Sequence, residues 1–297
     1  MPKENVSDRN GRALEYKIID FLCSGNSNFK VTLTDQAKVA QGRDKQKYLK
    51  LSDKLKESYI KAASIIHNWL LSIIKEKEVL IDRLSDNSAK KGDVTDIRIS
   101  WKDQGVNLSI KHNHSALKHQ RPPTTVMRCG YAKDCQEDIG FRKEYKKIVD
   151  NFLIKSKRDL PGASLFSELL TINEEYINDN IYFPVCSLVA ETIKKSCISP
   201  RNTEALFNFL IGSVGFYKII DRNHEITILD FTHIKIPKKV DVRLRDKSYV
   251  DLDFSNGCKI AMRLHNASSR LGRSLKFDTQ AIDLPDVQEI IIKKIKT

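Results

Sequence analysis

Between Gly92 and Lys111 the chain carries the pattern that most limits what it can fold into. Asp96 opens an alternation in which Ile97, Ile99 and Trp101 are apolar while Arg98 and Ser100 are polar. Leu108 and Ile110 then alternate with Asn107, Ser109 and Lys111. Period-two alternation marks a half-buried strand, and Lys102-Asp103-Gln104-Gly105 between the two runs is turn chemistry. The spacing predicts a hairpin with Leu108 and Ile110 in the core and Ser109 and Lys111 on the other side. A carboxylate opening one strand then faces a hydroxyl and an ammonium on its neighbour, a site suited to a hard cation and a phosphate.

Charge narrows the partner. Lys plus Arg number 51 against 38 Asp plus Glu, for a net +13 over 297 residues. Such a balance favours a polyanion, with nucleic acid ahead of an anionic membrane because no basic amphipathic helix stands apart from the core pattern. No run of about 18 apolar residues occurs and no signal-peptide core opens the chain, so no membrane association is expected. The cysteines Cys23, Cys129, Cys135, Cys186, Cys197 and Cys258 are scattered, which points to reduced thiols and a cytoplasmic setting.

In chain order, a helix is expected after Asp8, with Leu14, Ile18, Phe21 and Leu22 on one face and Glu15 at its edge. The plain reading of Glu15 is a solvated helix carboxylate. Residues 25–43 read as loop or a weak strand. A long helix follows over about 48–78, where Leu51, Leu55, Tyr59, Ala62, Ile66, Trp69, Leu70 and Ile73 recur at spacings of three and four. Residues 82–91 read as a polar loop. After the hairpin come His112-Asn113-His114 and Lys118-His119-Gln120-Arg121, read either as a solvated basic loop or as phosphate contacts beside a cleavage site.

Helical patterns fill residues 137–212, with breaks at Pro161-Gly162 and Ser199-Pro200. Strands are expected at 217–220 and 225–229. A hairpin is expected at 249–265 around Asn256-Gly257, with Ile260, Met262 and Leu264 on one face and Arg263 and His265 on the other. A two-stranded ribbon fits the major groove, and arginine is the commonest partner of guanine O6 and N7. Arg263, His265 and Asn266 are therefore candidate base readers; the plain alternative is a polar face turned to water.

Hydrolysis of a phosphodiester asks for a divalent ion, an activated water and positive charge for the developing anion. Magnesium prefers oxygen ligands, usually one or two carboxylates with waters and substrate. Asp96 suits the carboxylate, the Ile110 carbonyl a second ligand, and Lys111 the charge that holds the water.

The Asp-to-Lys arrangement resembles the PD-(D/E)xK nuclease superfamily. More closely, Asn10-Gly11-Arg12-Ala13-Leu14-Glu15-Tyr16, Gly92-Asp93-Val94-Thr95-Asp96, Leu108-Ser109-Ile110-Lys111-His112-Asn113-His114 and Arg263-Leu264-His265-Asn266-Ala267-Ser268-Ser269 resemble blocks of the HaeIII family of type II restriction endonucleases. The resemblance implies Mg2+-dependent cleavage of double-stranded DNA at GGCC, with a companion methyltransferase protecting the host. It carries Asp96 over as metal ligand and Lys111 as catalytic lysine, with Asp93 the rival for the first role. Ser109 stands where the superfamily usually has an acid, and Glu15 is a candidate to supply the missing charge. Ser268, Ser269, Arg270 and Arg273 join the expected DNA contacts.

The expected architecture is α/β: a restriction-endonuclease-like mixed sheet flanked by helices, with a helical insertion and C-terminal β-hairpin elements. One domain over 1–297 is expected, with a catalytic core at about 8–130 and DNA-recognition strands at about 215–297. A palindromic site suits a two-fold homodimer. Two readings compete: a structure-specific or repair nuclease with the same core, and a degenerate nuclease retained as a DNA-binding module.

Overall fold

The computed structural model describes residues 6–24, 28–84, 93–113, 117–222 and 225–294. The chain divides into two compact units, the first made of residues 1–115, 212–234 and 286–297 and the second of 116–211 and 235–285. The second unit is thus drawn from two segments of the chain, each flanked on both sides by segments of the first.

The first unit is a seven-stranded mixed sheet with helices α1 (Val6–Leu22), α2 (Asp35–Leu49) and α3 (Asp53–Ile73). Its strands are β1 (Lys30–Leu33), β2 (Glu78–Arg83), β3 (Ile97–Trp101), β4 (Gln104–His112), β6 (Tyr217–Asp221), β7 (Glu225–Asp230) and β12 (Gln288–Lys294), in the order β1-β2-β3-β4-β6-β7-β12. The β3–β4 hairpin is antiparallel, with Ile97 opposite Leu108 and Trp101 opposite Gln104. Its turn is tighter than the sequence suggests, because β4 begins at Gln104 and Lys102 takes φ +49°. β4 and β6 run parallel, with Ser109 beside Lys218 and Lys111 beside Ile220.

Helix α3 matches the three-four apolar spacing: Tyr59, Ala62, Ala63, Ile66, Trp69 and Leu70 are buried. With Leu14, Ile18 and Ile19 of α1 they cover Ile97, Ile99, Leu108 and Ile110 of the central strands. Trp69 packs edge-on to Tyr217, centroids 4.9 Å apart. Helix α2 lies where a loop or strand was expected. Its inward face is only Ala37, Ala40 and Asp44, too small and polar to show a periodic signal; Thr34 caps it by accepting from the Ala37 N–H at 3.1 Å.

The second unit holds the antiparallel sheet β5-β11-β10-β9-β8, with β5 at Lys118–Gln120, β8 at Val240–Arg245, β9 at Tyr249–Phe254, β10 at Lys259–Asn266 and β11 at Leu275–Asp283. Its longer helices are α4 (Gln136–Asp159), α5 (Phe183–Ser196) and α6 (Pro200–Leu210). The Asn256-Gly257 turn joins β9 to β10; Gly257 takes φ +87°, and an added Cβ would meet Pro285 at 3.0 Å. Ile260, Met262 and Leu264 are buried, whereas Arg263 is exposed. The strands after residue 215 therefore do not form one group. β6, β7 and β12 complete the first sheet, and β8 to β11 build the second. Sequence order alone carries no information on that partition.

Candidate active site

Asp96 sits one residue before β3, and its backbone ties it to the sheet: its N–H donates to the Leu108 carbonyl at 2.8 Å and its carbonyl accepts from the Leu84 N–H at 3.2 Å. Anchored so, the side chain reaches across to β4. Its Oδ2 accepts from the Ile110 N–H at 2.7 Å and from Ser109 Oγ at 3.4 Å, and lies 3.3 Å from Lys111 Nζ. The Asp96 and Lys111 side chains are each 22% exposed, so the pair is open to a substrate. Carboxylate, hydroxyl and ammonium are thus brought together.

Asp93 is held elsewhere. Its Oδ2 accepts from Arg98 Nη2 at 2.7 Å and its Oδ1 from the Thr95 N–H at 3.1 Å, an arrangement that caps the approach to β3. Arg98 in turn donates to Asn107 at 2.8 Å.

Glu15 is not a solvated carboxylate. It is 5% exposed and ion-paired to the buried Arg83, with Arg12 Nη1 at 3.3 Å. Burial, and then the charge of Asp96, push its pKa up to about 7, against the pull of Arg83, Arg12 and Lys111. Desolvation and a neighbouring like charge both disfavour an ionised carboxyl, which is the direction of this shift.

Lys218 was not singled out in the sequence. It occupies the polar position of β6, beside Ser109 across the parallel pair, and is 3% exposed. Burial, then the charges of Lys111 and Arg222, lower its pKa to about 7. A lysine inside an apolar strand was the available signal, but its neighbour lies more than a hundred positions away in sequence.

The other expected contacts separate. His112 is turned inward: Nδ1 lies 2.9 Å from Asp221 Oδ2, and the ring meets Tyr59 edge-on at 5.4 Å. Its expected phosphate contact gives way to a buried pair, because the strand's alternation carries it to the core side. Asn113, at φ +58°, places Nδ2 3.0 Å from His112 Nε2. His114 lies outside the described residues.

In the second unit Lys118 Nζ sits 4.2 Å over the Phe209 ring. Arg121 donates to Ser274 Oγ at 2.7 Å, and Arg273 pairs with Asp150 at 2.8 Å. Asn266, expected in a turn, is the last residue of β10, its Oδ1 accepting from Tyr182 OH at 3.2 Å and its amide donating to the Ser268 carbonyl. Ser268 Oγ accepts from the Arg270 N–H at 3.2 Å, the Ser269 carbonyl accepts from the Phe166 N–H at 3.0 Å, and Arg270 bridges to Leu165. Arg263 projects from the exposed side of β10, 6.0 Å from the Tyr249 ring centroid.

The family model of the HaeIII restriction endonuclease matches residues 11–235 and 222–285. The chain belongs to that family. It is 27% identical over 324 residues to the type II restriction enzyme HaeIII of Haemophilus aegyptius, an alignment covering 95% of this chain and 96% of that enzyme. No solved structure matches. Membership of the HaeIII family makes the chain a type II site-specific deoxyribonuclease and double-stranded DNA its substrate. No helix among the described residues is long and apolar enough to cross a membrane.

Proposed function

We propose that this HaeIII-family enzyme hydrolyses both strands of a short palindrome, GGCC by the family resemblance, in a magnesium-dependent reaction centred on Asp96 and Lys111. The observation that carries the reading is the Asp96 carboxylate, fixed by the Ile110 N–H at 2.7 Å and 3.3 Å from the Lys111 ammonium.

The donor set fits magnesium. Among the described residues no three His, Cys, Asp or Glu side chains gather as a cation site. A hard ion that takes one or two carboxylates and fills its shell with backbone oxygen, water and phosphate does not need three. Asp96 would be the main ligand, with the Ile110 carbonyl, Ser109 hydroxyl and Glu15 beside it. Bound there, magnesium would polarise a phosphate oxygen and lower the pKa of a water.

The protein's own groups do the rest. The Ile110 N–H fixes one Asp96 oxygen, so its direction is set before substrate arrives. Lys111, held at that carboxylate, presents positive charge where the phosphate becomes more negative. Glu15, near neutrality in its titration, can hold or release a proton at its carboxylate.

The second unit supplies the expected DNA contacts, with Arg263 and His265 as base readers and Lys118, Arg121, Arg270 and Arg273 as backbone contacts. A companion methyltransferase protecting the same sequence, and a homodimer matching the two-fold symmetry of the site, complete the proposal. Digesting an unmethylated plasmid with magnesium and sequencing the fragment ends tests it. Discrete ends within GGCC are expected. An intact plasmid, with cutting only of branched DNA, would favour a structure-specific nuclease.

A further inference from the structure

A chain of buried charges in the first unit ends at Glu15. Arg83, the last residue of β2, is 2% exposed. Its Nη2 donates to Glu15 Oε2 of α1 and, at 3.3 Å, to Asp44 Oδ2 of α2. Asp44 is buried and is held from the other side by Arg43, whose Nε and Nη2 each donate to it at 2.7 Å. Arg12 Nη1 adds a second bond to Glu15 Oε2 at 3.3 Å. Arg83 Nε and Nη1 are buried with no hydrogen-bond partner among the described residues.

As a stabilising device this is poor. Taking Glu15, Asp44 and Arg83 out of water is costly, and two guanidinium nitrogens stay unpaired; apolar side chains of similar volume would hold the same elements together at least as well. What the chain of charges does fix is the Glu15 carboxylate. Both guanidinium bonds fall on Oε2, and Oε1 accepts none among the described residues. Asp96 is arranged in the same way, with the Ile110 N–H, the Ser109 hydroxyl and the Lys111 ammonium all at Oδ2. Each carboxylate is held by one oxygen and presents the other. The backbone ties the two together: Arg83 pairs with Ile97 across β2 and β3, and the next residue, Leu84, donates its N–H to the Asp96 carbonyl at 3.2 Å. The charges of Asp96 and Lys111 both act on Glu15.

We propose that Arg83 is a positioning residue for Glu15, gripping one carboxylate oxygen, with Asp44 holding the arginine in turn, so that the other oxygen is presented to the same divalent cation as Asp96. The inference rests on the reading of Asp96 and Glu15 as magnesium ligands, and it gives helix α2 a part in the site through Asp44.

Manganese serves as the probe, because the free ion is counted directly by electron paramagnetic resonance. Mn2+ is titrated into the full chain, alone and with its cognate duplex. Arg83→Lys keeps the charge and loses the planar fork, and should weaken Mn2+ binding by about tenfold. Glu15→Gln should weaken it by a similar factor. Arg83→Lys added to Glu15→Gln should then change nothing further, because the arginine acts only through that carboxylate. A merely structural arginine would lower the urea midpoint and leave the Mn2+ affinity of the folded protein unchanged, or would weaken binding equally in both backgrounds; either result overturns the proposal. If Arg83→Lys does not fold, Asp44→Asn carries the same test: its loss of Mn2+ affinity should vanish in the Glu15→Gln background, and a loss that persists there overturns the proposal. A wild type that holds no Mn2+ in either condition, or a Glu15→Gln variant that binds as the wild type does, would sink the ligand reading and this inference with it. Mn2+ bound with equal affinity by the wild type and Arg83→Lys, but lost in Glu15→Gln, would sink this inference alone.

Discussion

Ser109 and Lys218 face each other across the parallel β4–β6 pair, so the Ser109 hydroxyl has a buried lysine for a neighbour. The Asp96 carboxylate is 3.4 Å from that hydroxyl on one side, and Lys111 adds a second ammonium close by. Lys111 therefore stands between a second, buried amine and two carboxylates, Asp96 and the Glu15 of helix α1.

That balance has a pH signature. In the unfolded chain Lys218 titrates near the ordinary lysine value, and in the folded protein near 7. Between those values the unfolded state binds the proton that the folded state does not, so stability from this group rises with pH across the window and is lost as pH falls toward 7. Lys218→Met removes the contribution. Urea unfolding of the two proteins at several pH values should show the wild type gaining on the variant as pH increases above 7. A constant difference would contradict the buried, neutral amine.

Glu15 lies beside Asp96 in charge terms and is the only candidate for a second carboxylate there among the described residues. Glu15→Gln should raise the magnesium concentration for half-maximal cleavage by about tenfold, the scale at which groups supporting a metal site act. Titrating magnesium against the plasmid cleavage rate measures this, and an unchanged midpoint would remove Glu15 from the site.

The His112–Asp221 contact predicts a stability effect instead of a DNA effect. Asp221→Ala leaves a buried imidazole without its 2.9 Å partner, and should cost about 1–3 kcal/mol in chemical denaturation. The salt dependence of DNA binding should stay the same, because no phosphate contact is lost. A shallower salt slope would restore His112 to the DNA interface.

Arg263 is exposed at the outer face of β10. If it grips a guanine, Arg263→Ala should cost about 1–3 kcal/mol of discrimination at one position of the recognition sequence. Competition binding with singly substituted duplexes reads that position directly. A uniform loss over all duplexes would mark Arg263 as a backbone contact.

Much of this site was legible in the sequence because its main parts are local. Asp96, Ser109 and Lys111 lie on one hairpin, and period-two alternation is enough to bring them together. Glu15 was legible only as a residue type; its burial depends on Arg83 and Asp44, which come from β2 and α2. Neither element shows in the pattern, one being short and the other inward-facing through alanines and an aspartate. Lys218 and Asp221 stayed hidden for a different reason. Each acts through a strand pairing with a distant segment, and register between strands separated by a whole inserted unit is not written in local periodicity.

The central claim is that Asp96 and Lys111 together make the cleavage site. Single-turnover cleavage of an unmethylated plasmid with magnesium, comparing the wild type with Asp96→Asn and Lys111→Met at equal fractions of folded protein, tests it most directly. The account predicts discrete fragments from the wild type and a loss of about a hundredfold to a thousandfold or more in each variant, with binding of uncut duplex retained. Near-wild-type cleavage by either variant would contradict it.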